Sequence, residues 1–297
     1  MDAKHFVQKI AAMRDAEAIG WAQPIEVFAS LADAAVGYVP NGVDYRTTTV
    51  SQVSVELFAP PRGQGFVLFL HGGNYLLPLV DAYRTFAEAL ALRSGKTVVL
   101  VDYATAPYVY PDALVEVYSV WEWLIAQDDR IALVGDGSGA NMAVQLCFLL
   151  REDKVRMPKC LVLLSPQTDM TASGDSYYDN YYLDVVYGRR KLSGQDIPDA
   201  FRASPMWAYC RGMDLSLPEL SPLFADLGGL PPCHITVGSH EVVLSDATRF
   251  AAKLQEAGVE THLTVGEGLF YAYPFFHRQL PEARDAFESV CAFLKTK

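Results

Sequence analysis

The segment with the clearest chemical pattern spans residues 131–147, I-A-L-V-G-D-G-S-G-A-N-M-A-V-Q-L-C. An apolar run leads into small residues and then into apolar positions at helical spacing, which predicts a strand, a sharp turn and a helix. Such a turn can present a nucleophilic serine at the centre of a G-x-S-x-G frame. The central residue here is Gly137, between Gly135 and Gly139. The chain therefore has the setting for a serine nucleophile but not the serine.

Short apolar runs recur along the chain and alternate with helical patterns. Runs that are apolar on both faces are typical of central strands in a parallel sheet covered by helices. The expected strands occupy residues 65–71, 97–103, 131–135, 160–165, 233–238 and 261–266, after Thr- and Val-rich strands within 45–59. A sheet of this type places its functional site at the carboxyl ends of the strands.

Two segments do not follow this repeat. Residues 2–36 have apolar residues at helical spacing, and roughly 169–228 contains several prolines and no clear strand periodicity. We expect about 1–40 and about 169–228 to form a cap over the strand ends of a single domain. The Tyr-rich stretch 176–187 is typical of cap packing, although amphipathic aromatics also suit a flat polycyclic ligand.

Composition excludes several classes of partner. Apolar residues make up 51% of the chain and the formal net charge is −11, without a long basic run, so nucleic acid and anionic membranes are poor partners. The five cysteines are scattered and odd in number, which indicates reduced thiols rather than a disulfide framework or a zinc site. No run approaches the roughly 18 apolar residues of a membrane span, and no signal peptide is evident. We expect a soluble cytoplasmic protein.

Four short motifs follow one another along the chain. They are H-G-G-N at 71–74, D-Y-A-T-A-P at 102–107, G-D-G-S-G-A-N at 135–141 and S-P-L-F-A-D at 221–226. In order, spacing and context they resemble motifs of the hormone-sensitive-lipase-like (carboxylesterase) family of α/β-hydrolases, and the resemblance spans most of the chain. It implies the α/β-hydrolase fold, a mostly parallel central sheet flanked by helices, with a helical cap.

The resemblance also locates the positions of a catalytic triad. Gly137 stands in the place of the family's serine, Glu241 follows the strand at 233–238 where the family has its acid, and Tyr271 replaces the histidine. Only the acid survives. Loss of the nucleophile or the base removes nearly all catalysis by the triad. The rate that remains is roughly 10³–10⁴-fold above the rate in water. We therefore do not expect conventional ester hydrolysis.

Other residues could take over these roles. Ser138 is an alternative nucleophile, but it lies one place beyond the centre of the turn, where the family contributes a backbone N–H. His277 is interpreted as structural. Tyr271 is either a phenol hydrogen-bonded to Glu241, able to donate or relay a proton, or an aromatic that fills the core. Glu241 could also persist only to cap its loop.

Backbone donors for a carbonyl oxygen are expected to remain. The resemblance implies an oxyanion hole formed by the N–H groups of Gly72, Gly73 and Ser138, although H-G-G could also be merely a tight turn. Adjacent substrate contacts are expected from the following residues: His71, Asn74 and Gly137. Asn74 could instead hydrogen-bond within its own loop.

Three hypotheses of function follow. The first is a non-hydrolytic enzyme that activates the carbonyl of a small apolar molecule for cyclisation, elimination or carbon–carbon bond formation. The second is a receptor-like binding protein without catalysis, and the third is an esterase inactivated by mutation. No metal or nucleotide motif is present, so we expect no cofactor. Family resemblance also implies a possible homodimer through residues near 261–295.

Overall fold

The structure is a computed structural model, and it describes residues 5, 6, 8, 37–188 and 205–297. Most of the helices expected over 2–36, and part of the expected cap at 189–204, therefore lie outside the described residues. Phe6 is buried, and its ring lies 5.8 Å from the ring of Phe270.

The described residues form eight strands: β1 Asp44–Val50, β2 Val53–Ala59, β3 Phe66–Leu70, β4 Thr97–Asp102, β5 Ile131–Asp136, β6 Leu161–Leu164, β7 Cys233–Gly238 and β8 Thr261–Gly266. They make one sheet in the order β1-β2-β4-β3-β5-β6-β7-β8. The antiparallel pairs are β1 with β2 and β2 with β4, and all other neighbours are parallel. Every strand expected from the sequence is present, so that prediction is confirmed.

Helices cover both faces of the sheet. They are α1 Asp81–Ser94, α2 Asp112–Ile125, α3 Ser138–Glu152, α4 Ser176–Asp179, α5 Leu244–Glu256 and α6 Pro281–Thr296, with 3₁₀ turns at Pro205–Cys210, Pro222–Phe224 and Tyr273–Phe276. Successive side chains of β3 point to opposite faces. Leu68 and Leu70 join the core beneath α2, α3 and α5, whereas Val67 and Phe69 join the core beneath α1 and α6. This double burial is why the strands are apolar on both faces.

The described part of the segment between β6 and β7 contains α4 and 3₁₀ turns but no strand, as expected for a cap. Tyr177 and Tyr181 are buried in the core, whereas Tyr178 and Tyr182 are exposed, which fits packing by two of the four tyrosines. The full cap assignment stays a prediction. Among the residues described, no helix combines the length and the apolar character needed to span a bilayer.

Candidate active site

The turn between β5 and α3 has the strand–turn–helix geometry predicted from its sequence. Gly137 adopts φ 52° and ψ −109°, a conformation that costs a glycine less than any residue with a Cβ. At Gly139 the helix crosses the sheet so closely that an added Cβ would overlap the carbonyl oxygens of Leu70 and His71. The glycines therefore set the shape of the turn, whatever side chain stands at its centre.

Tyr271 occupies the space that a serine side chain would fill. A Cβ built on Gly137 would overlap the Tyr271 hydroxyl oxygen and would lie 3.1 Å from its Cζ. Tyr271 is buried at 2% exposure. Gly137 and Tyr271 are consequently one structural feature, because the glycine makes room for the tyrosine.

Tyr271 lies among buried groups that include Asp136 and Tyr187. Burial raises the pKa of Asp136 to about 7, while hydrogen bonds with Tyr83 and with Tyr271 act to lower it. The Tyr187 ring packs edge-on against Tyr271 with centroids 5.1 Å apart. Burial, followed by the charge of Asp136, raises the pKa of Tyr271 well above its ordinary value. At neutral pH the phenol is therefore protonated, a donor rather than a base.

Glu241 lies where the sequence predicts the acid, but it hydrogen-bonds other groups. Its Oε1 accepts from the Ser165 hydroxyl at 3.0 Å and from the backbone N–H of Gly238. The Ser165 hydroxyl in turn accepts from the N–H of Ala272 at 2.9 Å. The expected hydrogen bond between Glu241 and Tyr271 is thus not among the contacts of Glu241 in the described residues, because Ser165 and the Gly238 N–H engage its Oε1 instead. Burial raises the pKa of Glu241 well above its ordinary value.

The expected oxyanion hole loses one donor. The N–H of Gly72 donates to the Tyr83 hydroxyl at 3.0 Å, and that hydroxyl donates to Asp136 Oδ2 at 2.9 Å. The N–H of Gly72 is therefore occupied, because α1 places a tyrosine oxygen against it, and its part in an oxyanion hole stays a prediction. Across the described part of the chain, the N–H groups of Gly73 and Ser138 have no intramolecular acceptor. Their part in an oxyanion hole stays a prediction.

His71 and Asn74 lie beside these donors but are held by the protein. The His71 ring stacks on Tyr103 at 4.2 Å, and its Nδ1 lies 2.7 Å from the Gly72 carbonyl oxygen. Burial lowers the pKa of His71 to about 4, so the ring is neutral. The Asn74 Oδ1 accepts from the Gln167 side-chain amide at 3.0 Å. Asn74 thus bonds to the turn after β6, and its contact with substrate stays a prediction, as does that of His71.

The two alternative residues are accounted for by packing. Ser138 is fully buried near Tyr103, a phenol whose pKa burial raises well above its ordinary value. His277 stacks on Phe287 with ring centroids 4.3 Å apart, and burial lowers its pKa. The structural interpretation of His277 fits this contact, and Ser138 lies one position beyond the centre of the turn.

Residues that sequence reasoning missed hold the site together. Asp184 is fully buried, and its carboxylate accepts from the backbone N–H of Tyr187 at 2.9 Å and from that of Val242 at 2.8 Å. It therefore ties the segment carrying Tyr187 to the loop carrying Glu241. Tyr83 likewise donates a hydrogen bond to Asp136, and Ser165 donates one to Glu241. No local motif marks any of these residues.

Comparison with known proteins identifies the class that this fold and site define. The α/β-hydrolase-fold family matches residues 67–275, and the chain belongs to that family. An esterase of Acinetobacter venetianus is 31% identical over 242 residues, covering 80% of this chain and 77% of its own length. An acetyl-hydrolase of Streptomyces hygroscopicus is 31% identical over 253 residues, covering 84% and 81%.

Solved structures place the chain within a narrower group. A hormone-sensitive lipase from a metagenome library superposes with a TM-score of 0.87 at 25% identity, covering 100% of this chain and 98% of its own. An esterase of the bacterial hormone-sensitive lipase family superposes with a TM-score of 0.85 at 26% identity, covering 100% of this chain and 99% of its own. The chain is a member of the hormone-sensitive-lipase-like carboxylesterase family, as its motifs predicted.

Proposed function

We propose that this α/β-hydrolase is a non-hydrolytic enzyme that activates the carbonyl group of a small apolar molecule. The observation that carries the proposal is the position of the Tyr271 hydroxyl, which fills the space of the serine side chain beside the N–H of Ser138. A protonated phenol there can donate a hydrogen bond to a carbonyl oxygen. It cannot form an acyl-enzyme in the manner of a serine activated by a histidine.

The chemistry follows from these donors. When the α C–H bond of a bound ketone breaks and its proton leaves to water, the electron pair forms the enolate and negative charge develops on oxygen. The N–H groups of Gly73 and Ser138 and the phenol of Tyr271 would stabilise that oxygen, and one such donor is worth about 3–4 kcal/mol. Asp136, with its pKa raised to about 7 by burial, is suited to hold or return a proton on the phenol. Cyclisation, elimination and carbon–carbon bond formation can all proceed through such an enolate.

A second candidate is a ligand-binding protein without turnover. It is favoured by the complete burial of Glu241 and the near-complete burial of Tyr271 among the protein's own side chains, and by the Gly72 N–H that Tyr83 already occupies. An esterase inactivated by mutation is disfavoured because Gly137 and Tyr271 fit one another. A disabling change at the serine alone would not require a matching tyrosine.

Exchange of the α-protons of 2-tetralone in D₂O, followed by proton NMR, tests the proposal. The native protein should exchange them faster than buffer, and Tyr271→Phe should lower the rate by about 10- to 100-fold. Tyr178→Phe is the matched control, because Tyr178 is exposed at 45%. Equal rates for native and Tyr271→Phe would contradict the role of the phenol. Saturable binding of the ketone without exchange would favour the binding protein.

A further inference from the structure

A second concave feature lies at the opposite ends of the strands from the candidate active site. It is a cleft of about 370 Å³ at the amino-terminal ends of β3, β4 and β5, next to the last turn of α6. The residues that line it are Arg62, Gln64, Ser94, Gly95, Lys96, Arg130, Lys295 and Lys297. Five cations thus line one cleft of a chain whose formal net charge is −11, and no carboxylate side chain lines it with them.

Neighbouring acids neutralise only part of this charge. Arg130 pairs with Asp128 at 2.8 Å, and Lys297 pairs with Glu260 at 2.9 Å. Within the described ranges, Arg62, Lys96 and Lys295 have no carboxylate at ion-pair distance. The cleft therefore keeps an excess of positive charge.

Lys96 distinguishes this cleft from an ordinary basic surface. Lys96 as a whole is only 8% exposed, yet it lines the cleft, so a long side chain largely covered by protein faces the cavity. Burial lowers the pKa of Lys96, and Arg130 acts in the same direction. Lys96 thus presents a cation to the cavity from a largely buried position.

Helix dipoles explain only some of these positions. Lys295 lies in the last turn of α6, where a cation is favourable without any ligand. Arg62 lies between β2 and β3, Lys96 follows the C-cap Gly95 of α1, and Arg130 precedes β5. Three separate connections thus bring their cations to one cavity, an arrangement suited to a tetrahedral dianion with several donors around it.

We propose that this cleft binds a small phosphate-type dianion, either inorganic phosphate or the phosphate group of a phosphomonoester, with Lys96, Arg62 and Arg130 as its principal donors. The site is independent of the carbonyl chemistry proposed at the other end of the sheet.

Thermal unfolding tests the proposal with inorganic phosphate and with glycerol phosphate, each against sodium chloride of the same ionic strength. At a concentration near ten times Kd, the bound anion should raise the midpoint by about 2–4 °C beyond chloride. The anion with the lower Kd in calorimetric titration identifies the source. A midpoint that follows ionic strength alone, for both anions, would overturn the proposal.

Variants separate a built site from general charge. Lys96→Met should raise the Kd for the bound anion by about tenfold or more, while its own unfolding midpoint without anion should equal or exceed the native value. Lys295→Gln is a second variant. The Lys295 side chain is exposed rather than held in the core, so we expect a smaller loss of affinity. Lys154→Gln, at an exposed position outside the cleft, is the control. Unchanged affinity in both cleft variants would contradict the assignment.

Discussion

The turn at residues 135–139 and the loop at 267–273 meet at the candidate active site, yet they differ in what fixes their sequence. In the turn, backbone contacts at Gly135 and Gly139 leave no room for a side chain, so the glycine frame is required by packing. In the loop, the position of Tyr271 is set by its side chain, whose ring packs against Tyr187 and whose hydroxyl lies over Gly137. The shape of the turn is therefore fixed by its backbone packing, whereas the residue at position 271 is matched to the space left at Gly137.

The two buried carboxylates of the site show the same contrast. Glu241 is held by Ser165 and a backbone N–H, whereas Asp136 is held by the hydroxyl of Tyr83. The predicted acid thus bonds within its own loop region, while Asp136, whose charge acts on the phenol of Tyr271, is a carboxylate that the sequence did not single out.

The largest effect is expected where packing fixes the backbone. Gly139→Ala would force a methyl group into the carbonyl oxygens of Leu70 and His71, and we expect the free energy of unfolding to fall by about 3–5 kcal/mol. Gly258→Ala is the control, since that glycine has a positive φ but no neighbouring atom within 4 Å. It should cost only about 1–2 kcal/mol in urea unfolding. Similar losses in both variants would show that close packing does not fix the turn.

The next effect tests whether Gly137 and Tyr271 are one unit. Gly137→Ser should destabilise the protein by about 2–3 kcal/mol, because the new side chain meets the phenol. Tyr271→Phe in the same chain removes the overlapping oxygen and should recover about 1–3 kcal/mol as coupling energy in a double-mutant cycle. Strictly additive free energies would contradict the fit between the two residues.

A pH-dependent effect should come from Asp136. Its pKa in the folded protein is raised from 3.8 to about 7, so the folded state holds a proton that the unfolded state has lost between those values. Native stability should therefore fall as the pH rises through this window, and Asp136→Asn should lack that contribution. We expect the variant to gain on the order of 3 kcal/mol relative to native between about pH 4 and about pH 7 in parallel urea titrations. A constant difference would show that Asp136 titrates normally.

The smallest effect concerns the acid loop. Ser165→Ala removes a donor to Glu241 and an acceptor from the N–H of Ala272, and should cost about 1–2 kcal/mol. Ser119→Ala, at an exposed hydroxyl that bonds only to the Val115 carbonyl, should stay within about 0.5 kcal/mol. Equal values for the two serines would mean that Ser165 does not support the loop.

Local pattern accounts for what the sequence predicted well. Strands buried on both faces are short apolar runs, and the turn at Gly137 is marked by its glycines, so both could be located from neighbouring residues. The positions of Glu241 and Tyr271 followed from the family resemblance. Their partners could not be predicted, because Tyr83, Ser165 and Asp184 reach the site only through chain packing and belong to no local motif.

The contact at Gly72 was missed for the same reason. Sequence spacing identifies a row of N–H donors after β3, but it does not reveal that the Tyr83 hydroxyl on α1 accepts from one of them. The overlap between a Cβ at Gly137 and the phenol of Tyr271 likewise becomes visible only when the two strand ends are brought together.

Hydrolysis of p-nitrophenyl butyrate tests the central claim most directly. The native protein should hydrolyse the ester no faster than expected for a site without nucleophile and base. Gly137→Ser/Tyr271→His should gain hydrolysis that Glu241→Gln then lowers. If the native protein instead hydrolyses the ester well above the uncatalysed rate, and Ser138→Ala abolishes that activity, then Ser138 is the nucleophile and the account given for Gly137 and Tyr271 is wrong.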